Sequence, residues 1–244
     1  MKNIKPYSNS KNKKTQIINM FDNIAETYDL LNMILSFRMD YIWRKIAIKN
    51  IKNNPQKILD IATGTADLAI TASKYTNAKI TGIDISKKML HIGNKKIKNQ
   101  KLSNRISLQL ADAENLPFKD SSFQAITVGF GVRNFENINL GLSEIYRVLD
   151  HNGILIILEP STPSIFPIKQ LYNIYFSYML PLLGKIISKD KNAYKYLNKS
   201  VNAFPNKNKF LKTLKKPGFQ KCKHTPLTFG IVSLYSAKKL KTKK

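Results

Sequence analysis

Three carboxylates lie at or near the ends of three predicted strands in this 244-residue chain. Asp60 precedes a turn rich in small residues, Asp84 follows Gly64 by twenty residues, and Asp112 comes after the third strand. In a doubly wound fold, a carboxylate at the position of Asp84 accepts both hydroxyl groups of a ribose. A carboxylate at Asp112, followed by the amide of Ala113, can accept from the exocyclic amine of a base. Together these residues predict a nucleoside site.

The loop that follows Asp60 reads Ile-Ala-Thr-Gly-Thr-Ala-Asp67 and contains a single glycine, Gly64. Dinucleotide-binding loops need several glycines, because the pyrophosphate sits on exposed amides at a helix N-terminus. This loop therefore indicates a cofactor without phosphates, and S-adenosylmethionine is the common cofactor of that kind. The loop alone is not specific, since an ordinary strand-to-helix turn has a similar sequence.

Short β-rich runs alternate with helical stretches from residue 57 to residue 159. The predicted strands cover residues 57–61, 78–84, 106–111, 124–130 and 154–159, and the predicted helices cover 66–75, 87–98 and 140–149. Such alternation predicts an α/β fold in which helices cover both faces of a parallel sheet. Sheets of this type bind ligands beyond the carboxyl ends of their strands. Two more strands are expected near 219–224 and 228–236, separated by Pro226.

The flanking segments differ from this core. Residues 20–50 predict two helices, and residues 171–188 are apolar and aromatic but too interrupted by Pro181, Gly184 and Lys185 to span a bilayer. We expect a basic arm and helical cap over residues 1–50 and a main domain over 51–238. A helical insertion is expected at about 161–210, and the basic tail at 239–244, with Lys238 before it, is expected to be disordered.

The formal net charge of +26 invites a nucleic-acid interpretation. However, 36 of the 41 basic residues are lysine, whereas recognition of bases and phosphates favours arginine. The excess lies in the termini, which would suit a polyanion or an anionic membrane surface, and an AT-rich genome would produce the same bias. The single cysteine, Cys222, and three scattered histidines exclude a disulfide framework and argue against a zinc site, so a reducing cytoplasm is expected.

Several segments resemble a known family. The loop around Gly64, the segment 112–118 and the helix segment 144–149 look like a class I methyltransferase. More narrowly, Phe21-Asp-Asn-Ile-Ala-Glu-Thr-Tyr-Asp-Leu-Leu-Asn32 and Thr127-Val-Gly-Phe-Gly-Val-Arg-Asn134 resemble the ubiquinone/menaquinone biosynthesis C-methyltransferase family, over about residues 15–238. The resemblance implies a Rossmann-like fold with a mostly parallel seven-stranded sheet and an antiparallel C-terminal strand.

The resemblance also implies a role for particular residues. Thr65 would contact the methionine portion of S-adenosylmethionine, Asp84 its ribose, and Asp112 with Ala113 its adenine. The remaining implied residues complete the cofactor site (Asp60, Gly64 and Gly129) and the acceptor site (Arg133, Asn134 and Tyr28). No metal is implied. Ala66 replaces the usual glycine, which is tolerable if its φ angle is negative.

The implied activity is C-methylation of a polyprenylated demethyl-quinol, most similar to demethylmenaquinol, with S-adenosylmethionine as cofactor. Three alternatives stay open: the benzoquinol precursor of ubiquinone, an RNA substrate, and a degenerate fold that binds without turnover, which Ala66 and Gly129 would favour. The expected location is the cytoplasm, with peripheral contact at the inner face of the membrane. A homo-oligomer is compatible with the sequence, and nucleic acid is the less favoured partner.

Overall fold

Seven strands form one sheet in the order β3-β2-β1-β4-β5-β7-β6 in the computed structural model, which describes residues 4–7, 11–179, 190–205 and 207–241. The strands are β1 (Lys57–Ile61), β2 (Lys79–Asp84), β3 (Ile106–Leu110), β4 (Phe123–Gly129), β5 (Leu149–Pro160), β6 (Gln220–Leu227) and β7 (Val232–Lys238). The first five pair in parallel, and β7 runs antiparallel to both β5 and β6. The predicted α/β sheet with an antiparallel C-terminal strand is confirmed.

Helices cover both faces of this sheet. They are α1 (Lys13–Leu35), α2 (Met39–Lys49), α3 (Asp67–Tyr75), α4 (Lys87–Asn99), α5 (Ile138–Val148), α6 (Ile168–Ile174), α7 (Lys191–Ala203) and α8 (Lys207–Lys215). A five-residue π-helical turn, Tyr175–Met179, continues α6, and a 3₁₀ turn, Val132–Asn134, follows β4. Helices α6 to α8 follow β5 in the segment where the insertion was expected. The division into cap, domain and insertion stays a prediction.

The central strands are apolar because both of their faces are covered. In β1, the side chains of Ile58, Leu59 and Ile61 are fully buried, and burial is continuous over residues 125–128 of β4 and 153–159 of β5. A continuous apolar run of this kind is typical of parallel strands under helices. Strand order reverses between β1 and β4, since β2 and β3 extend the sheet on one side and β5 on the other. The topological switch point therefore lies at the carboxyl ends of β1 and β4.

The C-terminal strands differ from the sequence expectation in the place of Pro226 and in the start of the last strand, which is Val232 rather than residue 228. Pro226 does not separate the two strands, because it lies inside β6 and pairs in register with Ser233 of β7. Strand β6 is at the edge of the sheet, so the backbone N–H that Pro226 lacks is not needed for a hydrogen bond to a neighbouring strand. The turn between the strands begins at Thr228 instead.

The expectation of a disordered basic tail is wrong at its first residues. Lys238 is the last residue of β7, and the side chain of Lys239 is buried. Its Nζ donates to the carbonyl oxygens of Tyr146 at 2.9 Å and Leu149 at 2.7 Å. Residues 242–244 of this tail lie outside the described residues. The lysine content of this tail predicts a solvated segment. In the structure, however, the ammonium group of Lys239 donates hydrogen bonds to carbonyl oxygens at the end of α5.

Within the described part of the chain, no helix has both the length and the apolar character that crossing a bilayer requires.

Replacement of Lys239 by methionine should lower the free energy of unfolding by about 1–3 kcal/mol, because the carbonyls of Tyr146 and Leu149 would lose a charged donor. Urea denaturation followed by circular dichroism measures the change. Lys241→Met is the matched control, since residue 241 is exposed, and it should leave stability within about 0.5 kcal/mol. Equal effects of the two substitutions would contradict the structural role of Lys239.

Candidate functional site

Parallel pairing brings the carboxyl ends of β1, β2 and β4 to one edge of the sheet. Asp84, the last residue of β2, accepts from the backbone N–H of Gly64 at 2.8 Å and from that of Ser86 at 2.9 Å. The carboxylate thus fixes the loop after β1 as well as facing the cleft. Gly129 ends β4 on the other side of β1.

Asp60 lies beneath this loop and is almost completely buried. Its two carboxylate oxygens accept from the hydroxyl groups of Thr63 and Thr127, each at 2.6 Å. No cation is within ion-pair distance of Asp60 in the described part of the chain. Burial therefore raises the pKa of Asp60 to about 6, against the opposing effect of the two hydroxyl donors.

Three loop residues, Ala62, Gly64 and Ala66, adopt left-handed backbone conformations. Gly64 has φ +56°, and the nearest atom to a methyl group built there would be Cε1 of Tyr28, at 3.9 Å. The backbone, rather than lack of space, therefore favours glycine at this position. Ala66 has φ +68°, so the condition of a negative φ under which alanine would be unstrained is not met.

Helix α1 covers the loop and is fixed to it by polar contacts. Ser86 donates its hydroxyl hydrogen to Asp22 at 2.6 Å, and Thr65 donates to Asp29 at 2.5 Å. Lys96, on α4, lies 2.8 Å from Asp29 and also pairs with Asp67. Thr65 is thus buried and bonded to α1, beside the site where its contact with the methionine portion was predicted.

The predicted adenine site lies beyond β3. Asp112 accepts from the backbone N–H of Glu114 at 2.9 Å, and its other oxygen lies 2.6 Å from Nζ of Lys14. Ala113 is buried between them. The ion pair with Lys14 occupies one oxygen of the carboxylate that was expected to accept from a base. A base bound at this position would share the Asp112 carboxylate with Lys14, in the first turn of α1.

Two adjoining cavities occupy this edge of the sheet. The smaller, of about 70 Å³, is lined by Asp84, Asp112 and Ala113, and the larger, of about 220 Å³, by Asp60, Thr65 and Arg133. Tyr28, Gly64, Gly129 and Asn134 line both. The structure thus brings all ten predicted site residues to one cleft, with Tyr28 between its two halves.

Arg133 lies in the 3₁₀ turn after β4 and forms a buried ion pair. Its Nη1 is 3.0 Å from Oε2 of Glu159, which is completely buried, and also donates to the carbonyl oxygen of Phe130. Burial raises the pKa of Glu159, and the Arg133 guanidinium opposes that shift. Nε of Arg133 is buried and has no hydrogen-bond partner among the described residues. One donor is therefore left for a ligand.

Asn134 is held by a tyrosine of α7. The hydroxyl of Tyr196 donates to Oδ1 of Asn134 at 3.1 Å, and burial raises the pKa of that tyrosine. The amide nitrogen of Asn134 thereby has its orientation fixed. Lys13 supports the same turn from α1, because its buried Nζ donates to the carbonyl oxygens of Arg133 at 3.1 Å and Phe135 at 2.6 Å.

Glu159, Tyr196 and Lys13 are functional candidates that the sequence analysis did not identify. Glu159 stands near the carboxyl end of β5, so the strand-end argument applied to Asp60 and Asp84 would have found it. Lys13 and Tyr196 have no comparable signal, because each contacts the turn from more than 60 positions away in the sequence. In the described ranges, no cluster of histidine, cysteine, aspartate or glutamate could hold a metal ion.

The residues at this edge fit a nucleoside sulfonium cofactor. Asp84 faces the cleft at the switch point, Gly64 leaves room above the loop, and the smaller cavity leads from a carboxylate to the larger one. Asp60, Asp67 and Asp84 make this region acidic, which suits a ligand with net positive charge.

Sequence comparison places this site among methyltransferases. A model of the ubiE/COQ5 methyltransferase family matches residues 9–239. A "Demethylmenaquinone methyltransferase" of Bacteroides fragilis is 47% identical over 238 residues, covering 97% of both chains. The "Ubiquinone/menaquinone biosynthesis C-methyltransferase UbiE" of Geotalea daltonii is 44% identical, covering 93% of this chain and 97% of that one.

Solved structures show the same fold at low sequence identity. A possible histamine N-methyltransferase of Thermotoga maritima superposes with a TM-score of 0.65 and 19% identity, covering 91% of this chain and 99% of its own. Phosphoethanolamine N-methyltransferase 2 of Haemonchus contortus, solved in complex with S-adenosyl-L-methionine, has a TM-score of 0.61 and 15% identity. It covers 82% of this chain and 53% of its own.

The affinity for S-adenosylmethionine should rise by up to about 10-fold between about pH 5 and about pH 7. Asp60 has a pKa of about 6, and only its ionised form attracts the sulfonium, so the gain appears as pH rises through that value. Calorimetric titration at several pH values measures it. S-adenosylhomocysteine, which lacks the sulfonium charge, should show a smaller dependence, and Asp60→Asn should flatten the difference. A difference that persists in Asp60→Asn would assign it to another group.

Proposed function

The chain belongs to the ubiE/COQ5 methyltransferase family, and we propose that it transfers the methyl group of S-adenosylmethionine to a ring carbon of a polyprenylated demethylmenaquinol, giving menaquinol. The observation that carries this proposal is the continuity between the acidic strand ends and a larger cavity whose lining is mostly apolar and aromatic. The polar half suits the cofactor, and the apolar half suits an aromatic ring with a lipid tail.

The chemistry requires an electron-rich carbon beside the donor. When bound, S-adenosylmethionine supplies an electrophilic methyl group on a sulfonium. Loss of a proton from the quinol hydroxyl to water, for which the pKa is about 10 by comparison with tyrosine, places negative charge on the ortho carbon. Methyl transfer to that carbon would release S-adenosylhomocysteine, and loss of the ring hydrogen as a proton to water would restore the aromatic quinol. Arg133 is a permanent cation in the lining of the larger cavity, next in sequence to Asn134, which lines both cavities, so it would stabilise that charge as it develops.

The surroundings of Arg133 suit this role. Glu159 and the carbonyl of Phe130 hold Nη1, so the guanidinium is fixed before the substrate arrives. Preorganised donors stabilise a transition state without the cost of reorienting during the reaction. Asn134, whose amide is oriented by Tyr196, would donate to a ring oxygen. Tyr28 would close the pocket from α1, where its ring lies edge-on to that of Phe21.

An exposed apolar patch lies beside the mouth of the larger cavity. It consists of Phe37, Leu171, Ile174 and Tyr175. The ring centroids of Phe37 and Tyr175 are 6.1 Å apart. On α6, Leu171 lies one turn before Tyr175, and Ile174 directly precedes it. Phe37 is 76% exposed and Leu171 60%. We infer that this patch receives the tail and touches the membrane. The side chains of Tyr178 and Met179, and Leu180 altogether, which continue this apolar segment in the sequence, lie outside the described residues.

The substrate is tested by incubating pure protein with labelled S-adenosylmethionine and a panel of acceptors. Short-chain demethylmenaquinol should accept the methyl group at a higher kcat/KM than the benzoquinol precursor of ubiquinone. Transfer and ribosomal RNA should stay unlabelled, because the lining of the larger cavity is mostly apolar and aromatic, and both arginines that line it within the described ranges already pair with carboxylates. Labelled RNA with unlabelled quinols would refute the proposal.

Removing the cation should slow the reaction without weakening cofactor binding. Arg133→Ala should cut single-turnover methylation of a short-chain demethylmenaquinol by about 10²–10³. Arg133→Lys should restore part of the rate, because an ammonium lacks the planar fork of guanidinium. Cofactor affinity, measured by calorimetry, should change little in both variants.

Arg133→Ala also leaves Glu159 buried without its partner, which costs about 3–5 kcal/mol in stability. The double variant Arg133→Gln with Glu159→Gln removes both charges and is the matched control for that loss. It should bind cofactor and still show the slow rate. A double variant that methylates at the wild-type rate would return Arg133 to a structural role.

Membrane contact should appear as co-sedimentation with vesicles that contain anionic lipid at low salt, with release as salt rises, because lysine attraction is screened. Phe37→Ser combined with Leu171→Ser should reduce binding by removing apolar area from the patch. Tyr75→Ser is the control, since Tyr75 is exposed at the end of α3, near the opposite edge of the sheet. Equal loss in the control, or no sedimentation of the wild type, would contradict this contact.

A further inference from the structure

Arg44 lies on α2 with its guanidinium between two carboxylates at the edge of the larger cavity. Its Nη2 is 2.7 Å from Oδ2 of Asp40 and 3.4 Å from Oδ2 of Asp67. Its Nε is buried and has no hydrogen-bond partner in the described part of the chain. A buried donor without an acceptor costs free energy, so this atom indicates a missing acceptor.

The course of the cleft indicates which part of the cofactor would lie beside Arg44. The adenosine end of the cofactor is assigned to the smaller cavity, where Asp84 and Asp112 lie. Gly64 lines both cavities, so a ligand that passes this glycine enters the larger cavity beside Thr65 and Asp67. Arg44 lines the cavity there and contacts Asp67, the first residue of α3. The amino-acid end of the cofactor would reach this point.

Arg44 and Arg133 are the two basic residues that line the larger cavity within the described ranges, and their settings differ. Arg133 pairs with Glu159, which has no exposure, and neighbours Tyr196 across Asn134. Arg44 pairs instead with two acids, the buried Asp40 and the partly exposed Asp67, and Lys96 shares Asp67 with it. A region of mixed charge suits a zwitterion, which needs both a cation and an anion near it.

We propose that Arg44 binds the α-carboxylate of the cofactor, with Nε as one of the donors. Asp40 and Asp67 hold the guanidinium by Nη2, and Nε is the donor left for the ligand. A carboxylate is the acceptor that guanidinium fits best, and a charge-assisted bond in a partly buried site is stronger than a neutral one. This inference rests on the proposed function, because it takes S-adenosylmethionine as the ligand.

The test removes the carboxylate from the ligand and the guanidinium from the protein in turn. Three ligands are titrated by calorimetry: S-adenosylhomocysteine, its decarboxylated counterpart S-adenosyl-3-thiopropylamine, and 5′-methylthioadenosine, which lacks the whole amino-acid end. The wild type should bind the first about 10- to 100-fold more tightly than the second. Arg44→Gln should abolish that preference and leave the affinity for 5′-methylthioadenosine unchanged.

Two further variants make the outcome specific. The double variant Arg133→Gln with Glu159→Gln should keep the carboxylate preference, since Arg133 is assigned to the acceptor. If Arg44→Gln fails to fold, Arg44→Lys replaces it, and its preference should fall several-fold because lysine has no Nε donor at that point. A wild-type preference that survives in Arg44→Gln or Arg44→Lys would overturn the assignment.

The same titrations separate this inference from the proposed function. A wild type that binds all three ligands equally would refute the role of Arg44 while leaving the cofactor assignment in place. A wild type that binds none of them would refute the proposed function, and the Arg44 assignment with it.

Discussion

Parallel pairing of β1 with both β2 and β4 is the constraint on which the site depends. The register aligns Asp60 with Gly82 and Thr127, so three strands end together, and the loop after β1 lies between two neighbours of known position. Asp84 then bonds the loop backbone at Gly64. A shift of one residue in either pairing would turn the Asp60 carboxylate away from Thr127 and separate the loop from Asp84. The cleft exists because this register holds.

Two buried carboxylates of this edge show how partners determine charge. Asp60 receives hydroxyl donors from Thr63 and Thr127, and burial raises its pKa to about 6. Glu159 is as deeply buried and its pKa is also raised by burial, but it pairs with a guanidinium, which opposes that shift. The first carboxylate can change charge near neutral pH, whereas the second forms a fixed pair that positions Arg133. The two halves of the cleft therefore differ in electrostatics as well as in lining.

The sheet could be predicted from the sequence, because apolar runs separated by helical stretches depend on local patterns. The strand-end carboxylates followed from the same patterns. The sequence did not indicate what those carboxylates contact, since Asp112 pairs with Lys14 and Arg133 with Glu159 across 98 and 26 positions. The conformation of Ala66 was also hidden, because alanine rarely adopts a positive φ and only the surrounding loop imposes it. The helices and strands could therefore be predicted from local sequence, whereas side-chain contacts between distant residues could not.

Helix α1 contributes to both halves of the cleft, and this explains why a segment outside the sheet belongs to the site. Lys14 reaches Asp112 at the smaller cavity, while its neighbour Lys13 holds the carbonyls of the turn that carries Arg133. Further along the helix, Asp29 bonds Thr65, and Tyr28 lines both cavities. A displacement of α1 would therefore disturb the loop after β1 and the turn after β4 together. The strands supply the acids at the edge, and α1 sets the geometry of the space above them.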